Sequence, residues 1–191
     1  MLFELRTYDL KPGKAPVYLE YFRTFGVGLV TRHLPMGGYW MVESGRLNRI
    51  EHLWIYDSFA ERDACRAGLA QEREWVETFI PRAFADVVAQ QNRIMALERG
   101  SDAVEQVIAA RRNRHDNQPA GSAMFAAGLH GLSFSAGPLP GAPLAAFRVL
   151  SGEAPGTHVT LQAGDFDALT ADTGGLAAHE LLRPLSLSPL R

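Results

Sequence analysis

A single cysteine, Cys65, occurs in the 191 residues. One thiol can neither close a disulfide within the chain nor build a thiolate metal cluster, and such usage fits a reducing compartment. No apolar run of about 18 residues is present, as a spanning helix would require. The chain passes from Met1 directly into "LFELRTYDL", an alternating stretch with acidic residues that is unlike a signal peptide. A cytoplasmic protein without a membrane span is therefore expected. Neither sign of charge dominates: 19 Lys and Arg stand against 21 Asp and Glu, a formal net charge of -2, so no global field draws in nucleic acid or an anionic membrane. The basic cluster Arg111, Arg112, Arg114 and His115 reads as a solvated strand end or turn, and no nucleic-acid partner is expected.

Catalytic motifs are equally scarce. The six histidines show no H-x-x-x-H, H-x-H or H-E-x-x-H spacing, so no metal site is expected. "GVG" at 26–28 lies inside a helical pattern and not after a strand, which excludes a nucleotide fingerprint. G-x-S-x-G is absent, and no nucleophilic triad can be assembled.

What is present is regular patterning in a chain that is 47% hydrophobic, enough for a core. "LFELRTY" (2–8) alternates and ends at the turn "KPGK", predicting a strand. After Pro16, the spacing of Val17, Leu19, Tyr21, Phe22 and Phe25 predicts an amphipathic helix running toward Leu34. "GGYWMVES", the turn "GRLN" and "RIEHLWIYDS" form a hairpin. Ser58 or Asp57 caps the next helix, with Glu61 completing a capping box. "EWVETFIPRAFADVV" is partly helical and interrupted by Pro81, and "QQNRIMALE" is a fourth strand.

The order β-α-β-β-α-β is the split βαβ, or ferredoxin-like, arrangement, with helices on one face of an antiparallel sheet and the other face bare. The second half supplies a cover for that face. Residues 44–69 lie over 151–176 without a gap, with identities such as Gly45/Gly152 and Phe59/Phe166. "AVEQVIAARR" is then the first strand of the second unit, "GSAMFAAGLHGL" its first helix, and "ELLRPLSL" the region of its last strand. The expected fold is α+β: two ferredoxin-like repeats, 1–98 and 99–191, whose antiparallel sheets pack into an α+β barrel.

"FELRTYDLKPGK", "GGYWMVESGRLNRIEHLWIYDSFAERDACRAGL" and "EWVETFIPRAFADVVAQQNRIM" resemble the NIPSNAP domain of the dimeric α+β barrel superfamily, over residues 2 to about 97. The resemblance implies a barrel made by two sheets face to face, closed here within one chain or extended by a homodimer. The wider superfamily includes cofactor-independent monooxygenases, isomerases, stress-response barrels and haem enzymes, so the fold selects no reaction.

Strand alternation then nominates side chains. Leu53 and Ile55 are assigned to the helix side, with Phe3, Leu5 and Thr7, while His52, Trp54, Tyr56, Arg6 and Tyr8 are assigned to the barrel interior. His52 is the candidate general acid or base, with Tyr56 and Tyr8 as donors to a carbonyl or enolate oxygen. Arg6 would hold an anionic group, Trp40 and Trp54 would wall an aromatic ligand, and Glu43, if inward, would pair with Arg6 or His52. The expected function is binding of a small apolar or aromatic molecule inside the barrel, without metal or organic cofactor, in a cofactor-independent oxygenase or isomerase. The competing readings are a non-catalytic scaffold with a packed barrel, and a haem-binding barrel using His179.

Overall fold

The computed structural model describes all residues, 1–191. Strand β1 (Leu2–Leu10) leads through the Gly13 turn into α1 (Ala15–Tyr21), which passes through a π-helical turn (Phe22–Gly26) into α2 (Val27–Val30). The hairpin of β2 (Met36–Ser44) and β3 (Arg49–Tyr56) precedes α3 (Phe59–Leu69). A second π-helical turn (Trp75–Phe79), α4 (Ile80–Ala83) and a short 3-10 turn then lead to β4 (Val87–Gly100). Thereafter come α5 (Asp102–Ala110), β5 (Leu129–Ser135), β6 (Ala145–Gly152), β7 (His158–Gly164), α6 (Phe166–Thr170) and β8 (Ala178–Pro184).

The eight strands close a ring in the order β1-β3-β2-β8-β5-β7-β6-β4, with every paired neighbour antiparallel. Started at β4, the ring reads 4-1-3-2 and then 8-5-7-6, so the two halves use the same ferredoxin-like order. The seams are β2 with β8 and β4 with β6. Closure is achieved within one chain and leaves no free sheet edge.

Local chemistry explains most boundaries. Ser58 accepts from the Glu61 amide at 3.1 Å, and the Glu61 carboxylate reaches back to the Asp57 amide, so α3 starts where its cap dictates. Pro81 has no N–H to donate, and it lies in the first turn of α4, directly after the π-helical turn that loosens the backbone ladder. Gly26 lies in the other π-helical turn, where a Cβ would come within 2.4 Å of the Phe79 ring. The absent side chain lets the two helical runs touch.

The second half departs from expectation at its start. "AVEQVIAARR" is helix α5 and not a strand: Ser101 accepts from the Val104 amide at 3.4 Å, and Asp102 and Glu105 stand in the first turn, where the helix dipole favours them. "GSAMFAAGLHGL" is not a helix but a loop leading into β5, and residues 136–144, where a first helix would cross between β5 and β6, are helix-free. The segment before β5 instead wraps back over the first helical layer. The buried Arg23 holds it through Ser122 Oγ at 2.7 Å and Gln118 Oε1 at 3.3 Å, and the Gly28 amide donates to Asn117 Oδ1 at 2.9 Å.

Two hydrophobic layers result, and they reverse the expected strand parity. The barrel interior is filled by Phe3, Leu5, Leu53, Ile55, Trp40, Val42 and Met95 from the first half and by Leu132, Phe147, Leu161 and Leu182 from the second, with Val104 and Leu190 packed against them. The layer between sheet and helices contains Tyr8, Tyr39, Trp54 and Tyr56, under Tyr18, Leu19, Phe22 and Phe79. Leu53 and Ile55 therefore face the barrel, whereas His52, Trp54 and Tyr56 face the helices. Alternation separates two faces without saying which is inside. Here the helices bring aromatic rings that match the aromatic face, and the two sheets meet through mainly aliphatic side chains. The void left in the barrel is about 10 Å³, at most one water, so the expected ligand pocket between the sheets is absent.

Candidate functional site

The reversal of parity moves the candidate residues to the helix side of the sheet and keeps four of the seven together. Between the first-half sheet and its helices lies a cavity of about 350 Å³, and thirteen of its seventeen lining residues are hydrophobic. Arg6 and Tyr8 reach it from β1, Tyr39 from β2, and His52 and Trp54 from β3. Tyr18 and Phe22 close it from the first helical run, and Arg66, Leu69 and Trp75 from the second layer. Four of the seven nominated residues thus share one cavity: Arg6, Tyr8, His52 and Trp54. The other three do not line it. Trp40 points into the barrel and donates to His130 Nδ1 at 2.9 Å. Glu43 is exposed, 3.9 Å from Arg183 on β8, and pairs with neither Arg6 nor His52. Tyr56 is buried beside the cavity, and its hydroxyl has no partner.

His52 is at the centre of an aromatic cage. Its ring stacks on Tyr39 with centroids 4.8 Å apart and 14° between planes, and meets Tyr8 edge-on at 4.6 Å. Trp54 Nε1 donates to His52 Nδ1 at 2.6 Å. This bond makes Nδ1 the acceptor, so in the neutral ring the proton resides on Nε2. Nε2 is buried and has no partner. Burial, reinforced by the Arg6 guanidinium, pushes the His52 pKa well below the usual imidazole value, so the ring is neutral near pH 7. Nearby, the Tyr18 and Tyr39 hydroxyls bond each other at 3.2 Å, and burial raises both phenols, which remain O–H groups.

One edge of the cavity is electropositive, and a single carboxylate organises it. Glu4, fully buried on β1, accepts from Arg62 at 2.9 and 3.1 Å, Arg66 at 2.7 Å, Arg6 at 3.4 Å and Asn92 at 2.7 Å. Burial alone would raise the Glu4 carboxyl. Hydrogen bonds from Arg62, Arg66 and Asn92 and the Arg66 charge outweigh that effect and hold it down at about 2. Three guanidiniums around one carboxylate leave a net positive edge. Arg6 Nη2 also donates to Gln90 at 3.2 Å, whereas Arg6 Nε and Arg66 Nε are buried without partners.

Sequence reasoning missed Tyr18, Tyr39, Arg66 and Trp75 as lining residues. Tyr39 was recoverable, since it pairs directly with His52 in the β2–β3 register and so shares its face. Arg66 is one helical turn after Arg62, on the side of α3 that meets Glu4, a placement visible only once the sheet face under α3 is known. No group of His, Cys, Asp and Glu in the structure has the geometry to hold a metal ion, and no helix is long and apolar enough to cross a membrane.

Comparison with known proteins places this geometry in a family. The NIPSNAP family model matches residues 3–101, about half of the chain. The NipSnap homolog 3B of Mus musculus is 46% identical over 96 residues, which are 50% of this chain and 38% of that protein. The NipSnap homolog 3A of Homo sapiens is 40% identical over 98 residues, 51% and 39% of the two chains. The match thus spans well under half the length of these relatives. Among solved structures, a protein from Agrobacterium tumefaciens, described as a NIPSNAP family protein of unknown function, is 34% identical, with a TM-score of 0.51 over 53% of this chain and 98% of its own. An anthrone oxidase-like protein superposes on 96% of the chain with a TM-score of 0.57 but only 9% identity, a likeness of fold alone. The family match, the relatives and the sheet with its helical cover agree: the chain belongs to the NIPSNAP family.

Proposed function

We propose that the protein binds a small, flat, largely apolar molecule in the cavity between the first-half sheet and its helices, with an oxygen of that molecule directed at Arg6 and Arg66. The observation that carries this reading is the cavity itself: about 350 Å³, within the range of small-molecule sites, walled by stacked rings and edged by guanidiniums. Trp54 and Trp75 supply flat apolar walls, and Arg6 and Arg66 supply orientation. An oxygenase or isomerase that needs neither metal nor organic cofactor is the enzymatic form of this proposal. We also propose a division into two ferredoxin-like units, 1–98 and 99–191, in which only the first keeps both helices and hence the cavity. The packed barrel favours a second reading, a scaffold without a ligand, because the interior offers no binding volume.

A thermal-shift and calorimetric screen with naphthalene-sized aromatics separates these readings. Saturable binding of a naphthoate, lost in Ala70→Trp at the exposed cavity mouth, is the expected result. No binding by any member of such a panel, or binding unaffected by Ala70→Trp, would contradict the proposal and leave the scaffold reading.

A further inference from the structure

Every buried, unpartnered polar atom on the residues that line the cavity is an N–H donor. Arg6 Nε and Arg66 Nε are donors by their chemistry, and His52 Nε2 is one because Trp54 occupies Nδ1 from 2.6 Å away. A buried donor left unpaired is destabilising, and an incoming acceptor relieves that cost. On the acceptor side, the Glu4 carboxylate is saturated by three arginines and Asn92, and Gln90 Oε1 is engaged by Arg6.

Resting on the ligand reading above, we infer that the cavity selects the anion of an acidic aromatic compound, such as an enolate, phenolate or arylcarboxylate, that His52 contacts it as a neutral N–H donor and not as a general base, and that Trp54 is the positioning residue that holds this tautomer. The charged groups that act on His52 are Arg6 on the adjacent strand, Glu4 beyond it and Arg66 on α3, and the rings of Tyr8 and Tyr39 pack against it. For His52 to accept a proton at Nε2, Nδ1 would have to carry one and face the Trp54 N–H, donor against donor. Burial opposes the imidazolium as well. The proton of the bound compound is therefore lost before binding, in water, which restricts ligands to compounds already ionised near neutral pH. No covalent bond is made or broken in this step.

The experiment is a two-bond 1H–15N correlation spectrum of imidazole nitrogens in the full-length, 15N-labelled protein, with the His52 signals identified by their loss in His52→Gln. The same protein is titrated with 2-naphthoate and its neutral isostere 2-naphthamide. The inference predicts the Nε2–H tautomer at pH 6 through 8, a mixture of tautomers in Trp54→Phe, and a shift of the Nε2 resonance on adding naphthoate. It also predicts naphthoate affinity about tenfold above that for naphthamide, as one charge-assisted hydrogen bond would give. His52→Gln, which keeps a side-chain N–H, should preserve more of that ratio than His52→Leu, in which only Arg6 and Arg66 remain to favour the anion. An Nδ1–H tautomer, an imidazolium at pH 7, or equal affinities for the two probes would overturn the inference. If neither probe binds, the ligand reading fails by itself, and the tautomer spectrum still decides the state of His52.

Discussion

Trp54 Nε1 donates to His52 Nδ1 across two residues of one strand, at 2.6 Å, inside a layer of rings buried beneath the helices. Side chains at i and i+2 share a strand face, so this pair is written into "EHLWIYDS" as an alternation, and the sheet orientation turns it into the centre of a cavity. The barrel holds a parallel case, Trp40 donating to His130 at 2.9 Å, and burial takes that histidine down to about 4. Both imidazoles are neutral at physiological pH, but only His52 opens on a space large enough for a ligand.

Acid should unfold the protein through Glu4. Its carboxyl titrates near 4.5 when free and near 2 in the fold, so its contribution is present in full above about 4.5 and is lost as pH falls toward 2. Glu4→Gln removes the carboxylate that three guanidiniums surround. A loss of about 3 kcal/mol or more at pH 7 is expected, measurable by urea denaturation.

Glu51 should act with the opposite sign. It is buried in the barrel, accepts from Thr7 Oγ1 at 2.8 Å, and is raised to about 8 by burial and by Glu180, against the Thr7 hydrogen bond, Arg49 and Arg93. The folded chain retains a proton that the unfolded chain releases near 4.5, so this group lowers stability progressively as pH rises from about 4.5 to 8. Glu51→Gln keeps a side chain that can accept from Thr7 and cannot ionise. Melting curves at pH 9 should show the variant more stable than the parent, by about 5 kcal/mol at most, with little difference at pH 4.

Gly26→Ala places a methyl group where the Phe79 ring stands, 2.4 Å from its nearest atom. Overpacking of this kind costs about 1–3 kcal/mol. Since Phe79 stacks on Trp75 with centroids 4.4 Å apart, a change in tryptophan fluorescence should accompany the drop in melting temperature.

Ser58→Ala removes the oxygen that accepts from the Glu61 amide. Because α3 carries Arg62 and Arg66 onto Glu4, the loss of about 1 kcal/mol expected of an N-cap should be accompanied by weaker binding of an anionic ligand. Unchanged binding at reduced stability would show that the end of α3 does not position Arg66.

The elements of the first half were legible because their signals are local: alternation in β1, β2 and β3, the Ser58 cap and the Gly13 turn. Which face of the sheet turns inward was not, since both faces of β3 are apolar or aromatic, and the choice depends on which partner layer offers matching shapes. In the second half, two helix signals were readable in and before "AVEQVIAARR": the Ser101 cap that starts α5, and the i, i+3, i+4 spacing of Val104, Val107 and Ile108. The ungapped alignment of 44–69 with 151–176 also conceals a shift. The hairpin loop spans Gly45 to Asn48 in the first half and Glu153 to Thr157 in the second, one residue more, so the alignment sets the inward Leu53 against Thr160, which alternates with the inward Val159 and Leu161. A one-residue slip exchanges the two faces of a strand.

The position of a bound ligand is the most direct test of the cavity. Crystals soaked with 6-bromo-2-naphthoate and measured at the bromine absorption edge should show one anomalous peak between the first-half sheet and its helices, beside Tyr39 and Trp54, with the carboxylate toward Arg6 and Arg66. A peak inside the barrel or elsewhere on the surface, or no peak at saturating ligand, would contradict it.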